Sequence, residues 1–92
     1  MSDLHDNPAT RRLEMIEDGQ TVFADYRREG RRLIIDHVEA PQALRGTGAA
    51  GRFMTALAGY ARAKGWMIVP HCSYAAAWLS RSPEYRDLVD RG

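Results

Sequence analysis

A run of small residues near the middle of the chain has the composition of an anion-binding turn. It lies between an apolar segment, residues 33–38, and a helical pattern that reaches Gly65. Small side chains let backbone N–H groups approach a ligand, and the first N–H groups of a helix have no partner inside it. These groups lie at the positive end of the helix dipole, so the turn suits a phosphate or diphosphate. Taken alone, the run fits a simple tight turn before a helix equally well. The candidate binding residues are Arg45, Gly46, Thr47, Gly48, Ala49 and Ala50.

The segments before the turn predict three antiparallel strands. Polar and apolar residues alternate over residues 12–17, which is typical of a half-buried strand. Asp18-Gly19 predicts a type I′ hairpin that leads into a second strand over residues 21–27. Residues 32–38 predict a third strand that is apolar on both faces around Ile34 and Ile35, so we expect it near the middle of the sheet.

A helix, a further strand and two short helices are predicted after the turn. Residues 50–61 carry an apolar stripe at helical spacing, and Gly65 is placed to end this helix. Residues 66–70 predict a fourth strand, and a strand–helix–strand unit implies parallel pairing. Ser73 is expected to cap a short helix, and a last one follows over residues 84–89. This order of elements indicates an α+β fold.

Length and composition indicate one domain. Of the 92 residues, we expect residues 1–10 to form a flexible N-terminal lead and residues 11–92 a single domain. Lys and Arg total 13 against 12 Asp and Glu, which argues against nonspecific nucleic-acid binding. One cysteine permits no intrachain disulfide and favours a reducing, cytoplasmic location. The sequence predicts neither a membrane span nor a metal site, because it lacks a long apolar run and paired Cys or His spacing.

The turn and its surroundings resemble the GNAT acetyltransferase superfamily. Residues 45–50 fit its acetyl-CoA signature, (Gln/Arg)-x-x-Gly-x-(Gly/Ala), after a β meander and before a helix and a strand. Residues 36–41, 70–74 and 81–85 are also similar to a compact subfamily, the small "N-acetyltransferase domain-containing" proteins. The resemblance runs from about Leu13 to the C-terminus. It implies a minimal GNAT fold (acyl-CoA N-acyltransferase fold), with an antiparallel meander, a β-α-β unit and short C-terminal helices.

The resemblance implies acetyl-CoA as the co-substrate. In GNAT proteins the diphosphate of CoA sits on the N–H groups of the turn, here residues 45–50. The pantetheine arm runs beside the strand before the turn, here near Val38, and bonds to its backbone. It enters an opening between that strand and the next parallel one, here residues 67–70.

Two residues near this opening are candidate bases. Acetyl transfer from a thioester to an amine needs a group that takes the amine proton. Glu39 and His37 lie at the end of the strand that would border the acetyl group, and alternation puts them on one face. Either could act as the base, directly or through water. The alternative is a structural histidine and a surface carboxylate.

Cys72 follows the fourth strand, beside the expected thioester, where a helix N-terminus favours a thiolate. Three roles stay open for it: covalent acetyl acceptor, proton donor to the departing CoA thiolate, or packing residue near the cofactor. GNAT proteins usually transfer directly, although the cysteine is a suspected catalytic residue in this subfamily. Tyr74 is a second candidate proton donor, or an aromatic residue packed on Trp78.

We therefore expect an N-acetyltransferase that moves an acetyl group from acetyl-CoA to a primary amine. A protein lysine or N-terminus is the expected acceptor, because a minimal chain offers little wall for enclosing a small molecule. The alternative is a non-catalytic acyl-CoA-binding or protein-interaction module. We expect a monomer or weak dimer, with no nucleic-acid or membrane partner.

Overall fold

A mixed five-stranded sheet organises residues 4–90, which are the residues that the computed structural model describes. The strands lie in the sheet in chain order, so each pairs with its neighbour in sequence. The first four are antiparallel, and the fifth is parallel to the fourth. The strands are β1 (His5–Asn7), β2 (Arg12–Glu17), β3 (Gln20–Glu29), β4 (Arg32–Glu39) and β5 (Met67–Pro70). The helices are α1 (Ala49–Lys64) and α2 (Ser73–Ser80), and 3-10 turns cover Gln42–Leu44 and Pro83–Leu88.

The expected flexible lead is in part a strand, so the sheet has one strand more than the sequence indicated. β1 pairs with β2, and the Asp6 carboxylate accepts hydrogen bonds from the hydroxyls of Tyr26 and Tyr60, each at 2.6 Å. Burial, followed by the contact with Asp6, raises the pKa of both tyrosines to about 12. The sequence pattern did not predict β1, because three residues are too few to show an alternation of polar and apolar side chains. The residue that ties β1 to the core is also a carboxylate, that of Asp6. Residues 1–3 of the expected lead lie outside the described residues.

The β2–β3 hairpin and the central position of β4 are confirmed. Asp18 and Gly19 have φ values of 50° and 73°, both positive as a type I′ turn requires. β4 lies between β3 and β5, and its residues Leu33, Ile34 and Ile35 are at most 3% exposed. A strand paired on both edges and covered on both faces accepts such an apolar run.

Helix α1 covers one face of the sheet and supplies much of the core. Phe53, Met54 and Leu57 are fully buried among side chains of β2, β3 and β4. Gly48 is the N-cap of α1, and Gly65 ends the helix as predicted. The predicted parallel pairing of β5 with β4 is also confirmed, and so is the α+β class. In residues 4–90, no helix combines the length and the apolar character that crossing a membrane demands.

The first of the two C-terminal helices begins one residue earlier than predicted. Cys72 is the N-cap of α2, and Ser73 is its first helical residue, with no side-chain cap. The last short helix is a 3-10 helix whose N-cap is Ser82, and the Ser82 hydroxyl donates to the Trp78 carbonyl at 2.7 Å. Propensity does not decide the start of such short helices, because packing against the sheet does.

Candidate active site

Two glycines with positive φ shape the turn before α1. The φ values of Gly46 and Gly48 are 81° and 84°, a conformation that L residues rarely adopt. A Cβ atom at Gly48 would also lie 3.1 Å from Nη1 of Arg52. Glycine at position 48 is therefore favoured by both backbone conformation and space.

Some of the N–H groups in this turn already donate hydrogen bonds to acceptors within the turn. Those of Arg45, Thr47 and Ala49 donate to acceptors within residues 42–47, at 3.1, 3.2 and 3.3 Å. The remaining donors lie in the turn and in the first turn of α1, near the positive end of the helix dipole. This leaves a set of amides that can receive an anion. Within residues 45–51 of the described chain, the N–H groups without a protein acceptor are those of Gly46, Gly48, Ala50 and Gly51.

An ion pair ties this turn to the end of β2. The Arg52 guanidinium donates to both carboxylate oxygens of Glu17, and its Nη1 donates to the Thr47 carbonyl at 3.0 Å. The same guanidinium holds the pKa of the Glu17 carboxyl below its usual value. Arg45 is exposed and makes no side-chain hydrogen bond or ion pair among the described residues. Its charge is therefore free to meet an anion at the turn.

A β-bulge at Asp36 changes the pairing of β4. On β3, the neighbouring residues Asp25 and Tyr26 oppose His37 and Ile35, so Asp36 has no partner there. The bulge explains why two successive residues, Asp36 and His37, are exposed directly after three buried ones. A bulge also bends the strand that contains it.

β4 and β5 separate beside this bulge. Their pairing ends at Ile35 and Pro70, whereas β4 continues to Glu39. The Ile35 carbonyl faces β5, because it accepts the N–H of Cys72 at 3.1 Å. Backbone groups alternate between the two edges of a strand, and the bulge shifts that alternation by one residue. The N–H and C=O of Val38 therefore face the edge that β5 has left.

His37 and Glu39 lie on one face of this open part of β4, as predicted. Nε2 of His37 is 2.7 Å from Oε1 of Glu39, and both side chains are about half exposed. The His37 ring also lies 6.4 Å from the Phe23 ring. Neither residue forms a hydrogen bond or ion pair with Cys72 among the described residues.

Cys72 and Tyr74 lie together where β5 passes into α2. Cys72 is partly buried and is the only cysteine of the chain. Tyr74 is 37% exposed. Burial raises the pKa of Tyr74, the nearby Cys72 adds to this rise, and Arg81 opposes it. The alternative for Tyr74, packing on Trp78, is not what the structure shows, because the Trp78 ring stacks on Tyr85, with the centroids 6.0 Å apart.

The predicted binding residues lie at one end of the sheet, where β4 and β5 finish. The glycine turn follows the C-terminal end of β4, and Cys72 follows the C-terminal end of the parallel strand β5. The first turn of α1 also lies beside α2, since a Cβ atom at Gly51 would be 3.7 Å from Nε1 of Trp78. The carboxyl ends of parallel strands are the usual place for ligands in such sheets.

A second cluster at this end of the sheet, made of charged and polar side chains, was not predicted. Asp36 accepts two hydrogen bonds from Arg27, at 2.7 and 2.9 Å, and Oδ1 of Asp36 lies 3.5 Å from Nδ1 of His71. The Arg27 guanidinium, and to a lesser extent His71, hold the pKa of the Asp36 carboxyl below its usual value. Within residues 4–90, no group of three His, Cys, Asp or Glu side chains is arranged to hold a metal ion. The adjacent polar pair Asp36-His37, which breaks the strand alternation, is the sequence signal that indicates the bulge.

Comparison with known proteins assigns the chain to a family. The sequence model of the GCN5-related N-acetyl-transferase family matches residues 12–88, which is most of the chain. The fold is similar to that of a GCN5-like protein from Staphylococcus aureus, solved by NMR, with a TM-score of 0.70 and 23% identity. That match covers 98% of this chain and 91% of the other, and supports the predicted minimal GNAT fold. A search of curated proteins found no match. The glycine turn, the open edge of β4 and the family match lead to one conclusion: the chain belongs to the GCN5-related N-acetyl-transferase family.

Proposed function

We propose that the chain binds acetyl-CoA and transfers its acetyl group to a primary amine. The observation that carries this proposal is the row of N–H groups without protein acceptors at the start of α1, next to the open edge of β4. One feature suits a diphosphate and the other suits an extended amide chain, and CoA contains both. We place the reaction in the cytoplasm, because a chain with one cysteine suits a reducing compartment.

The residues of the turn fit the diphosphate of CoA. The N–H groups of Gly46, Gly48 and Ala50 would donate to its oxygens, and Arg45 would add a positive charge. Thr47 and Ala49 would act indirectly, because their hydrogen bonds inside the turn fix its shape. The backbone of Val38 would hydrogen-bond the pantetheine amides as an added strand would.

The proposed reaction forms a nitrogen–carbon bond as the carbon–sulfur bond of the thioester breaks. An amine near its usual pKa of about 10.4 must first lose a proton, and the hydrogen-bonded pair of His37 and Glu39 is the proposed acceptor of that proton. The sulfur leaves as a thiolate, which Cys72 or Tyr74 would protonate. The products are the acetylated amine and CoA with a free thiol.

A covalent route through Cys72 uses the same atoms in two steps. The Cys72 thiolate would take the acetyl group and release CoA, and the amine would then attack the new thioester. The covalent route requires Cys72 close to the thioester, at the C-terminal end of β5, whereas the direct route can use Cys72 or Tyr74 as the proton donor. They differ in whether CoA is released before the amine is added.

The proposal is tested by release of CoA thiol from acetyl-CoA with a series of primary amines. We expect amine-dependent release that falls at least about tenfold in Cys72→Ala, with CoA binding unchanged. Ser73→Ala, one residue along in α2, is the matched control and should retain activity, because Ser73 makes no side-chain cap. CoA binding without turnover would instead identify an acyl-CoA-binding or interaction module. No binding of CoA would overturn the proposal altogether.

A further inference from the structure

A cavity of about 580 Å³ opens between β5, α2 and the C-terminal segment. It is distinct from the glycine turn, none of whose residues line it. Most of its wall is apolar, so it suits the hydrocarbon part of a ligand. The apolar wall consists of Val69, Pro70, Ala76, Leu79 and Val89.

One end of this cavity lies at the proposed reaction centre. His71 lines the cavity and directly precedes Cys72. Nδ1 of His71 is 3.5 Å from Asp36, the bulge residue beside which β4 separates from β5. This end of the cavity is therefore next to Cys72 in the chain, at the C-terminal end of β5.

The other end carries a positive charge without a carboxylate partner. The cavity is lined by two arginines, Arg32 and Arg86, and one carboxylate, Asp90. Asp90 pairs with Arg32 at 3.3 Å, and Glu29 lies 3.6 Å from the same guanidinium. Arg86 forms no ion pair within residues 4–90, and its Nε donates to the Ser80 carbonyl at 3.2 Å. Arg86 is thus the cation left to meet an anionic group in the cavity.

The length of α2 sets the distance between these two ends. His71 and Cys72 precede its first residue, and Arg86 is bonded to its last residue, Ser80. A helix of 8 residues is about 12 Å long. A ligand that reaches both ends needs its amine and its anionic group about 10 Å apart.

We infer that this cavity is the acceptor site and that it takes a small aliphatic primary amine carrying a carboxylate at the far end of its chain. This inference rests on the proposed function, whose acceptor it specifies. The amine would lie at the His71 end, the chain along Val69 and Ala76, and the carboxylate on Arg86. The sequence favoured a protein acceptor for want of an enclosing wall, and the cavity supplies that wall.

Titration of the full chain with 8-aminooctanoate and with the shorter 4-aminobutanoate, followed by amide NMR spectra, tests the inference without turnover. We expect aminooctanoate to shift the amide signals of Val69, His71 and Ala76, and to bind about tenfold more tightly than aminobutanoate. Arg86→Gln should remove this preference, since one charge-assisted hydrogen bond at a partly exposed site is worth about a factor of ten. Arg11→Gln is the control of equal charge, because Arg11 directly precedes β2, three strands away from β5, and lines no part of the cavity.

Equal affinity for both amino acids, or equal effects of the two arginine substitutions, would overturn the inference. Suppose that a lysine peptide is acetylated but aminooctanoate shifts no amide signals of the cavity residues. This result would also overturn the inference, and it would leave the proposed function intact with a protein as the acceptor. Cavity shifts on binding aminooctanoate, with no acetylation of any amine, would retain the ligand class and reject the proposed function.

Discussion

The two halves of β4 differ although they belong to one strand. Its first half, residues 32–35, is paired with β3 and β5 and is mostly buried. Its second half, residues 37–39, is paired with β3 alone and is mostly exposed. A single bulged residue, Asp36, separates them. The comparison teaches that the same strand builds the core with one half and leaves a free backbone edge with the other.

The separation of β4 from β5 has a direct physical cause. β5 is four residues long, and the N–H groups of His71 and Cys72 both turn in to the Ile35 carbonyl. This double hydrogen bond ends the parallel pairing and starts α2. The open edge is therefore made where β5 ends, beside the bulge of β4.

The largest expected effect concerns the buried half. Ile35→Ala should lower the free energy of unfolding by about 3 kcal/mol, because Ile35 is fully buried and its truncation leaves a cavity. His37→Ala, two residues later, should change it by no more than about 0.5 kcal/mol. Urea unfolding followed by circular dichroism measures both. Equal losses would show that the two halves are packed alike.

The open half should matter for turnover instead. Glu39→Gln should lower kcat/KM about 100-fold if the His37–Glu39 pair removes the amine proton, with the free energy of unfolding nearly unchanged. Glu84→Gln, in the C-terminal 3-10 turn and outside the cavity lining, is the matched control and should keep its activity. Unchanged kinetics in both variants would remove Glu39 from the reaction and leave it a surface carboxylate.

Much of the fold could be predicted because local chemistry decides it. Asp18-Gly19 specifies a hairpin wherever it occurs between strands, and Gly65 ends a helix for a similar reason. β1 could not be predicted, since it depends on Asp6 meeting Tyr26 and Tyr60, which are distant in sequence. Neither could the cavity near His71, because its wall comes from elements that are brought together only by packing.

The glycine turn can be tested separately from the strand. Gly48→Ala should weaken CoA binding about tenfold, because alanine is strained at a φ of 84° and its Cβ would crowd Arg52. Gly59→Ala is the matched control, since that helical glycine has nothing within 4 Å of its Cβ position. It should stabilise α1 by about 0.5 to 1 kcal/mol and leave binding unchanged. Calorimetric titration with CoA that gives equal affinities for both variants would contradict the role of the turn.

The smallest expected effect is on the pH dependence of folding stability, through the Arg27–Asp36 pair at the bulge. Arg27 lowers the pKa of Asp36 in the folded protein, so this pair adds stability above the unfolded pKa of about 3.9. That stability is lost as the pH falls through the lower folded pKa. Arg27→Gln should therefore flatten the acid limb of the stability curve below about pH 4, as measured by thermal unfolding in a pH series. An unchanged acid limb would show that the pair does not hold the bulge.

Amide hydrogen exchange along β4, with and without CoA, tests whether the cofactor pairs with the open edge. We expect Leu33 and Ile35 to be protected in both states, because their N–H groups face β5. We expect Val38 to exchange fast in the free protein and slowly once CoA is bound. Strong protection of Val38 without CoA, or none with CoA bound, would contradict the open edge as the place where the cofactor pairs.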